Sequence, residues 1–295
     1  MMASIIRFMF PPLFVLGCTS SSGEETGELP VDTGTPKYET QRTLLHEMFT
    51  GSTCGPCEPA AGYLGEVFDA RPNQHTVIKY QLGGDPYFTY EGYLRRIGYN
   101  PDGSTGYSLP WLQLDGINGH HPNDMDGDMV YDFTDVYTTQ WFDQYVVKPS
   151  GMELSVSHTV VDQTVSFDIE LLPYALYEDM DPQPNLVLHA AIIEETTVNN
   201  IGSNGQTEFH YVMKKMVPNQ DGTPLAPLKR LEPVTLSLSY TFNGDYKADS
   251  SMNNQVDDSI EHTVEDFDDL QVVVFVQDSA TLEVHQSAWT IVTSE

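Results

Sequence analysis

Leu44-Leu45-His46-Glu47-Met48-Phe49-Thr50-Gly51-Ser52-Thr53-Cys54-Gly55-Pro56-Cys57 is the stretch on which the reading of this chain turns. The apolar residues Leu44, Leu45, Met48 and Phe49 predict a strand, and Thr50-Gly51-Ser52-Thr53 a short polar turn. A helix-like stretch, residues 58–70, follows the second cysteine. A Cys-x-x-Cys pair at a strand-to-helix junction puts the first sulfur at a helix N-terminus. There the unpaired N–H groups and the positive end of the helix dipole favour thiolate over thiol. Thiolate is the species that attacks disulfides, so the stretch reads as a redox-active centre in outline. Pro56 lacks an N–H and presets the helical dihedral where a missing donor does least harm.

Working outward, residues 76–82 form a β-rich run and residues 87–97 have helical spacing. A Gly/Pro-rich turn, 98–108, leads through Leu109-Pro110 to a strand-like segment at 111–114, and residues 132–147 return to mixed helical spacing. Lys148-Pro149-Ser150-Gly151 breaks that helix, and a different rhythm follows. Leu154, Val156, His158 and Val160 alternate with polar residues, as do Val165, Phe167, Ile169 and Leu171. Further β runs fall at 186–194, 209–217, 234–242, 270–277 and 284–292, with a polar loop at 246–269. About seven strands with polar connections predict an antiparallel sandwich. The expected architecture is an α/β domain over residues 38–148 followed by an all-β, Ig-like sandwich over 149–295.

The chain has 295 residues, 40% of them apolar, and a net charge of -30 from 43 acidic and 13 basic side chains. Nucleic acid is excluded as a partner, because phosphate binding needs clustered Lys and Arg. At the N-terminus, Arg7 precedes an apolar stretch ending Val15-Leu16-Gly17-Cys18. The stretch falls well short of the roughly 20 apolar residues that cross a bilayer, so residues 1–17 read as a signal peptide. Leu-x-Gly-Cys resembles the lipobox of bacterial lipoproteins, which implies lipidation at Cys18. Residues 18–37 are Ser, Thr, Gly, Glu and Pro with almost nothing apolar, a flexible tether. With Cys18 acylated, Cys54 and Cys57 are the one remaining thiol pair, in a compartment where disulfides persist.

Strand, Cys-Gly-Pro-Cys, helix, strand, helix and an X-Pro strand follow one another in the order of the thioredoxin fold, which the first half resembles. The whole mature chain resembles the Omp28-related outer membrane lipoproteins. That likeness rests on His46-Glu47-Met48-Phe49-Thr50-Gly51, on Leu188-His189-Ala190-Ala191-Ile192-Ile193-Glu194 and on Val272-Val273-Val274-Phe275-Val276-Gln277-Asp278. It implies a lipid-anchored protein of the bacterial cell envelope, on the periplasmic or surface face of the outer membrane. The thioredoxin resemblance implies that Cys54 is the nucleophile and Cys57 the resolving thiol, acting on client protein thiols and disulfides. It also implies a cis peptide before Pro110 that presents backbone groups to a client beside Cys54. Thr53 departs from the pattern, since thioredoxins carry Trp there. The buried acid of that family would fall near Met48, and Glu47 is one residue out of register, so its side chain belongs to the other face. Gly55, Pro56, Thr53 and Glu47 are the supporting residues of the expected site, and no cofactor and no metal is assigned.

Two readings stay open: a thiol–disulfide oxidoreductase, and an envelope binding lipoprotein whose disulfide is inert. His120-His121 could join the cysteines in holding copper or zinc, which would make a metallochaperone; a turn in solvent is the plainer expectation. Asn123-Asp124-Met125-Asp126-Gly127-Asp128 has alternate acidic oxygens but departs from the EF-hand pattern, because its Gly comes early and no Glu closes it.

Overall fold

The computed structural model describes residues 39–100, 108–129, 135–243 and 262–290. The expected signal peptide, Cys18, the tether and most of the 246–269 loop lie outside the described residues. The first half contains β1 (Leu44–Thr50), α1 (Cys57–Ala70), β2 (His75–Gln81), α2 (Tyr90–Tyr99), β3 (Trp111–Leu114), β4 (Asn118–His120) and α3 (Thr139–Tyr145). Then come β5 (Met152–Val161), β6 (Thr164–Pro173), β7 (Leu186–Thr197), β8 (Phe209–Val217), β9 (Thr223–Pro224), β10 (Val234–Thr241), β11 (Leu270–Asp278) and β12 (Val284–Trp289).

β1 is buried on both faces, and its alternation sorts the core. Leu44 and Met48 point to the side where α1 presents Ala60, Leu64, Val67 and Phe68, with Leu112, Leu114 and Phe142 completing the layer. Those α1 positions recur at helical spacing, one stripe of one face. Leu45 and Phe49 point the other way, into a second core with Ile78, Tyr80, Ala191, Met213 and Phe275. β1 pairs in parallel with β2, Met48 opposite Lys79, and antiparallel with β3, Phe49 opposite Trp111.

The fold is mixed α/β and sheet-rich, with one large mixed sheet and a second sheet of three strands. The large sheet runs β12-β11-β7-β8-β2-β1-β3-β4, with β9 on the flank of β7. β2 and β8 are parallel, so the second half joins the first half's sheet at that pair. Only β5, β6 and β10 stand apart, in the order β10-β6-β5. Among the described residues, the strands after Gly151 are thus shared between two sheets, one of which also holds the strands before Lys148. From Lys37 onward the chain clusters as one unit.

The physical reason lies in the strands. β7 and β11 bury almost every residue, so each needs cover on two faces, whereas β5 and β10 alternate buried or half-buried with exposed. One face of β7 and β11 (Leu188, Ala190, Val272, Val274) receives the small sheet through Val165, Phe167, Ile169 and Leu171. The large sheet also rolls until its far strand β12 meets its near strands. The Val284 N–H donates to the Asp115 carbonyl (2.9 Å), Thr76 Oγ1 to Ser287 Oγ (2.7 Å), and Thr43 N to Gln286 Oε1 (2.8 Å). The core containing Leu45, Phe49 and Phe275 fills that roll.

His46 is fully buried on the α1 side of β1. Its Nδ1 faces the Leu44 carbonyl at 3.1 Å and its Nε2 the Tyr137 hydroxyl at 2.8 Å, which fits a neutral ring donating from Nδ1 and accepting at Nε2. Burial, and then the nearby His75, lower its pKa to about 3. A depressed histidine pKa favours the unfolded chain once that chain's imidazole protonates. Stability is therefore full above pH 6.5 and falls as the pH drops below it. Between pH 6.5 and 5.5 His46 alone is expected to remove about 1 kcal/mol. Urea melts at the two values check this: the loss between them is expected to be about 1 kcal/mol smaller in a His46→Gln background than in the parent, and an equal loss in both contradicts the assignment to this ring.

Candidate redox site

Cys54 and Cys57 are joined by a disulfide, with Cα atoms 5.4 Å apart. Two tight turns shape the segment: the Cys54 N–H donates to the Gly51 carbonyl and the Cys57 N–H to the Cys54 carbonyl, each at 3.1 Å. α1 begins at Cys57 itself, one residue earlier than the sequence predicts, with Pro56 as the residue before it. Cys57 is wholly buried and Cys54 half-buried, while Thr53, Gly55 and Pro56 are exposed. The pair thus has an outer and an inner sulfur, and the outer one stands a turn before the amide end of a 14-residue helix.

Gly51 can only be glycine, because a Cβ there would lie 2.4 Å from the Leu82 carbonyl oxygen. That close approach sets the end of β1 against the end of β2. Thr53, standing where the thioredoxin pattern has Trp, donates from Oγ1 to the Gly83 carbonyl at 2.8 Å. A Cβ on Gly83 would sit 3.3 Å from Leu109 Cδ1 and 4.0 Å from Thr53 Oγ1. The residues before Cys54 and before Pro110 thus flank the same glycine. The Leu109–Pro110 peptide is cis, Pro110 is buried, and the next residue, Trp111, pairs with Phe49 at the end of β1 that leads into the turn.

Glu47 does not join this group. It is fully buried on the opposite face, where Arg95 Nη2 donates to its carboxylate at 2.9 Å and Tyr80 Oη at 2.7 Å, and the Tyr99 hydroxyl donates as well. Arg95 also donates from Nη1 to Gln277 Oε1 (3.0 Å), so Glu47 closes a buried polar network between α2, β2 and β11. Supporting roles fall instead to residues that the sequence does not single out for this site. Asn123 Nδ2 donates to the Pro56 carbonyl at 2.8 Å. The buried Asp85 accepts the Ser52 N–H at Oδ2 and the Tyr87 N–H at Oδ1, each at 2.8 Å. From the β7–β8 connection, Asn204 donates its N–H to the Ser52 carbonyl (2.9 Å) and its Nδ2 to the Gly51 carbonyl (3.3 Å). Gly202 comes so close that a Cβ would meet Ser52 O at 2.3 Å. Short polar residues in loops carry no periodic signal, so only the folded chain reveals them.

His120 and His121 are not a turn in solvent. His120 Nε2 bonds the Tyr145 hydroxyl at 2.8 Å, and His121 Nδ1 accepts the Asn123 N–H at 3.3 Å; burial lowers both pKa values. Among the described residues, the one set of three or more His, Cys, Asp or Glu whose ligand atoms lie within 4.8 Å of one another is Asp124, Asp126 and Asp128, with neither histidine nor cysteine in it. Asp124 already accepts the N–H groups of Gly127 and Met129, each at 3.0 Å.

No family model matches the chain, and no curated protein matches it. Solved structures do resemble it. HBP35 of Porphyromonas gingivalis aligns with a TM-score of 0.58 and 11% identity, over 88% of this chain and 80% of that one. A protein of Agrobacterium tumefaciens aligns at 0.51 and 14% identity, over 87% of this chain and 97% of that one. At such identities the likeness is one of fold. A domain of the outer membrane lipoprotein Omp28 of P. gingivalis reaches a TM-score of only 0.29, with 13% identity, over 48% of this chain and 87% of that one. No helix among the described residues is long and apolar enough to cross a membrane.

Proposed function

We propose that the chain is a thiol–disulfide oxidoreductase of thioredoxin type, tethered through a lipid on Cys18 in the bacterial cell envelope, at the outer membrane. The observation that carries the reaction is the unequal burial of the two sulfurs, Cys54 within reach of solvent and Cys57 enclosed. The thioredoxin-like reading is supported by the Cys-Gly-Pro-Cys strand-to-helix junction, by parallel β1 and β2 flanked by antiparallel β3, and by Pro110 at the head of β3, whose next residue, Trp111, pairs with Phe49. The anchor and the outer-membrane address rest on Leu16-Gly17-Cys18 and on the Omp28-related segments of the sequence.

In the reducing direction, the Cys54 thiolate attacks one sulfur of a client disulfide. A Cys54–client S–S bond forms, the client S–S bond breaks, and the second client sulfur leaves as thiolate. Cys57 loses its proton and attacks the Cys54 sulfur. The intramolecular disulfide returns and the client departs as a dithiol, two electrons richer. A dithiol reductant restores the pair. Helix N-terminal amides favour the Cys54 thiolate, and Thr53 and Leu109 border the place where a client chain would lie beside Pro110. The test is insulin reduction by the reduced, soluble chain in the presence of dithiothreitol. A rate above that of dithiothreitol alone is expected; a rate equal to it leaves the tethered binding protein with an inert bridge.

A further inference from the structure

Beneath the turn that carries Cys54 lies a buried acidic cluster built largely from the second half of the chain. Asp85, fully buried, accepts the Ser52 N–H two residues before Cys54. Its other oxygen accepts the Tyr87 N–H, and the Tyr87 ring lies 3.7 Å from Lys214 Nζ. Lys214 is itself enclosed and paired with the equally enclosed Glu194 at 2.8 Å. Tyr87 Oη donates to Glu265 at 2.6 Å, and Glu194 accepts the N–H groups of Glu265 and Asp266. Glu265 also accepts the N–H groups of Val198 and Asn199 at the root of the loop whose Asn204 holds Ser52 from the side. Three carboxylates thus share one ammonium. Among the described residues only Glu194 of the three is ion-paired, and the carboxylate bonded to the redox turn is Asp85. Burial raises the pKa of the Asp85 carboxyl, an increase that the Tyr87 and Ser52 N–H donors offset only in part.

We propose that Asp85 is a positioning residue of the redox pair, which holds the Cys54 turn through Ser52 and biases the couple toward the disulfide. The inference rests on the oxidoreductase reading. A carboxylate that accepts the Ser52 N–H, two residues before Cys54, opposes the thiolate that reduction creates. Reduction of the disulfide takes up two electrons, and protons according to the thiol pKa values. Raising the energy of the thiolate therefore lowers the reduction potential. Asn204 holds the same turn without charge, which separates geometry from electrostatics.

The experiment equilibrates the chain with glutathione and its disulfide and reads the dithiol fraction by thiol labelling. Asp85→Asn is expected to shift the equilibrium about tenfold toward the dithiol, about 30 mV less negative, and to lower the pH at which the Cys54 thiol titrates. Asn204→Ala, which alters no charge, is expected to change the exchange rate while leaving the equilibrium within about twofold. An Asp85→Asn equilibrium within twofold of the parent, or moved toward the disulfide, overturns the inference and leaves the oxidoreductase standing. A parent chain that never exchanges with glutathione removes both. Should Asp85→Asn fail to fold, Asp85→Ser removes the same charge and is read in the same way: an equilibrium within twofold of the parent overturns the proposal, and a shift of about tenfold toward the dithiol is expected.

Discussion

Cys54→Ser is expected to reduce insulin no faster than dithiothreitol alone, whereas Cys57→Ser is expected to accumulate a mixed disulfide with its client. The asymmetry follows from burial. A client sulfur reaches Cys54, at the exposed Thr53–Pro56 turn, but not Cys57, which is enclosed at the start of α1. In Cys57→Ser the first attack proceeds and the second has no nucleophile, so the Cys54–client bond persists on a non-reducing gel and yields to added thiol. Accumulation of the adduct by Cys54→Ser instead would exchange the two roles. Equal turnover by both variants would remove them.

Glu47→Ala is expected to cost several kcal/mol of stability. Glu47 has no exposed surface and Arg95 has 8% of its side chain exposed, with 2.9 Å between guanidinium and carboxylate. Removing one partner of a buried ion pair leaves the other charge uncompensated, a loss of about 3–5 kcal/mol. The Tyr80 and Tyr99 hydroxyls lose their acceptor too. Glu47 faces away from α1, so the reduction potential of the surviving folded fraction is expected to stay within about 30 mV of the parent, a tenfold change in equilibrium constant. Denaturant melts of oxidised Glu47→Ala and of the parent decide the first point. A loss below about 1 kcal/mol, the size of an exposed pair, contradicts the network described.

Local structure was legible because its signals are local. Leu44–Thr50 reads as a strand, the Gly-Pro between two cysteines as a helix entry, and Leu154 to Leu171 as two strands with one wet face. The two-step alternation along β1 also assigns Glu47 to the wrong face for a role beside the cysteines. Which strands share a sheet was not visible in the same way, although a clue stands in the chain. Val272-Val273-Val274-Phe275-Val276 is a continuous apolar run and Leu188 to Ile193 one broken only by His189, the pattern of strands covered on both faces. A sandwich strand with one face in water alternates, as β5 and β10 do. The strands holding these runs, β7 and β11, join β2 and β1 through β8, so the second half completes the first half's sheet. Asp85, Asn204 and Gly202 were invisible for a different reason. Their roles consist of hydrogen bonds and close approach to a turn 33 to 153 residues away, which no spacing rule encodes.

The reduction potential of the Cys54/Cys57 couple, obtained by thiol labelling across a glutathione titration, is the most direct test of a working redox pair. A value between about -270 and -120 mV, the span of proteins that exchange disulfides for a living, is expected. A value below about -300 mV would mark a permanent bridge and contradict the oxidoreductase.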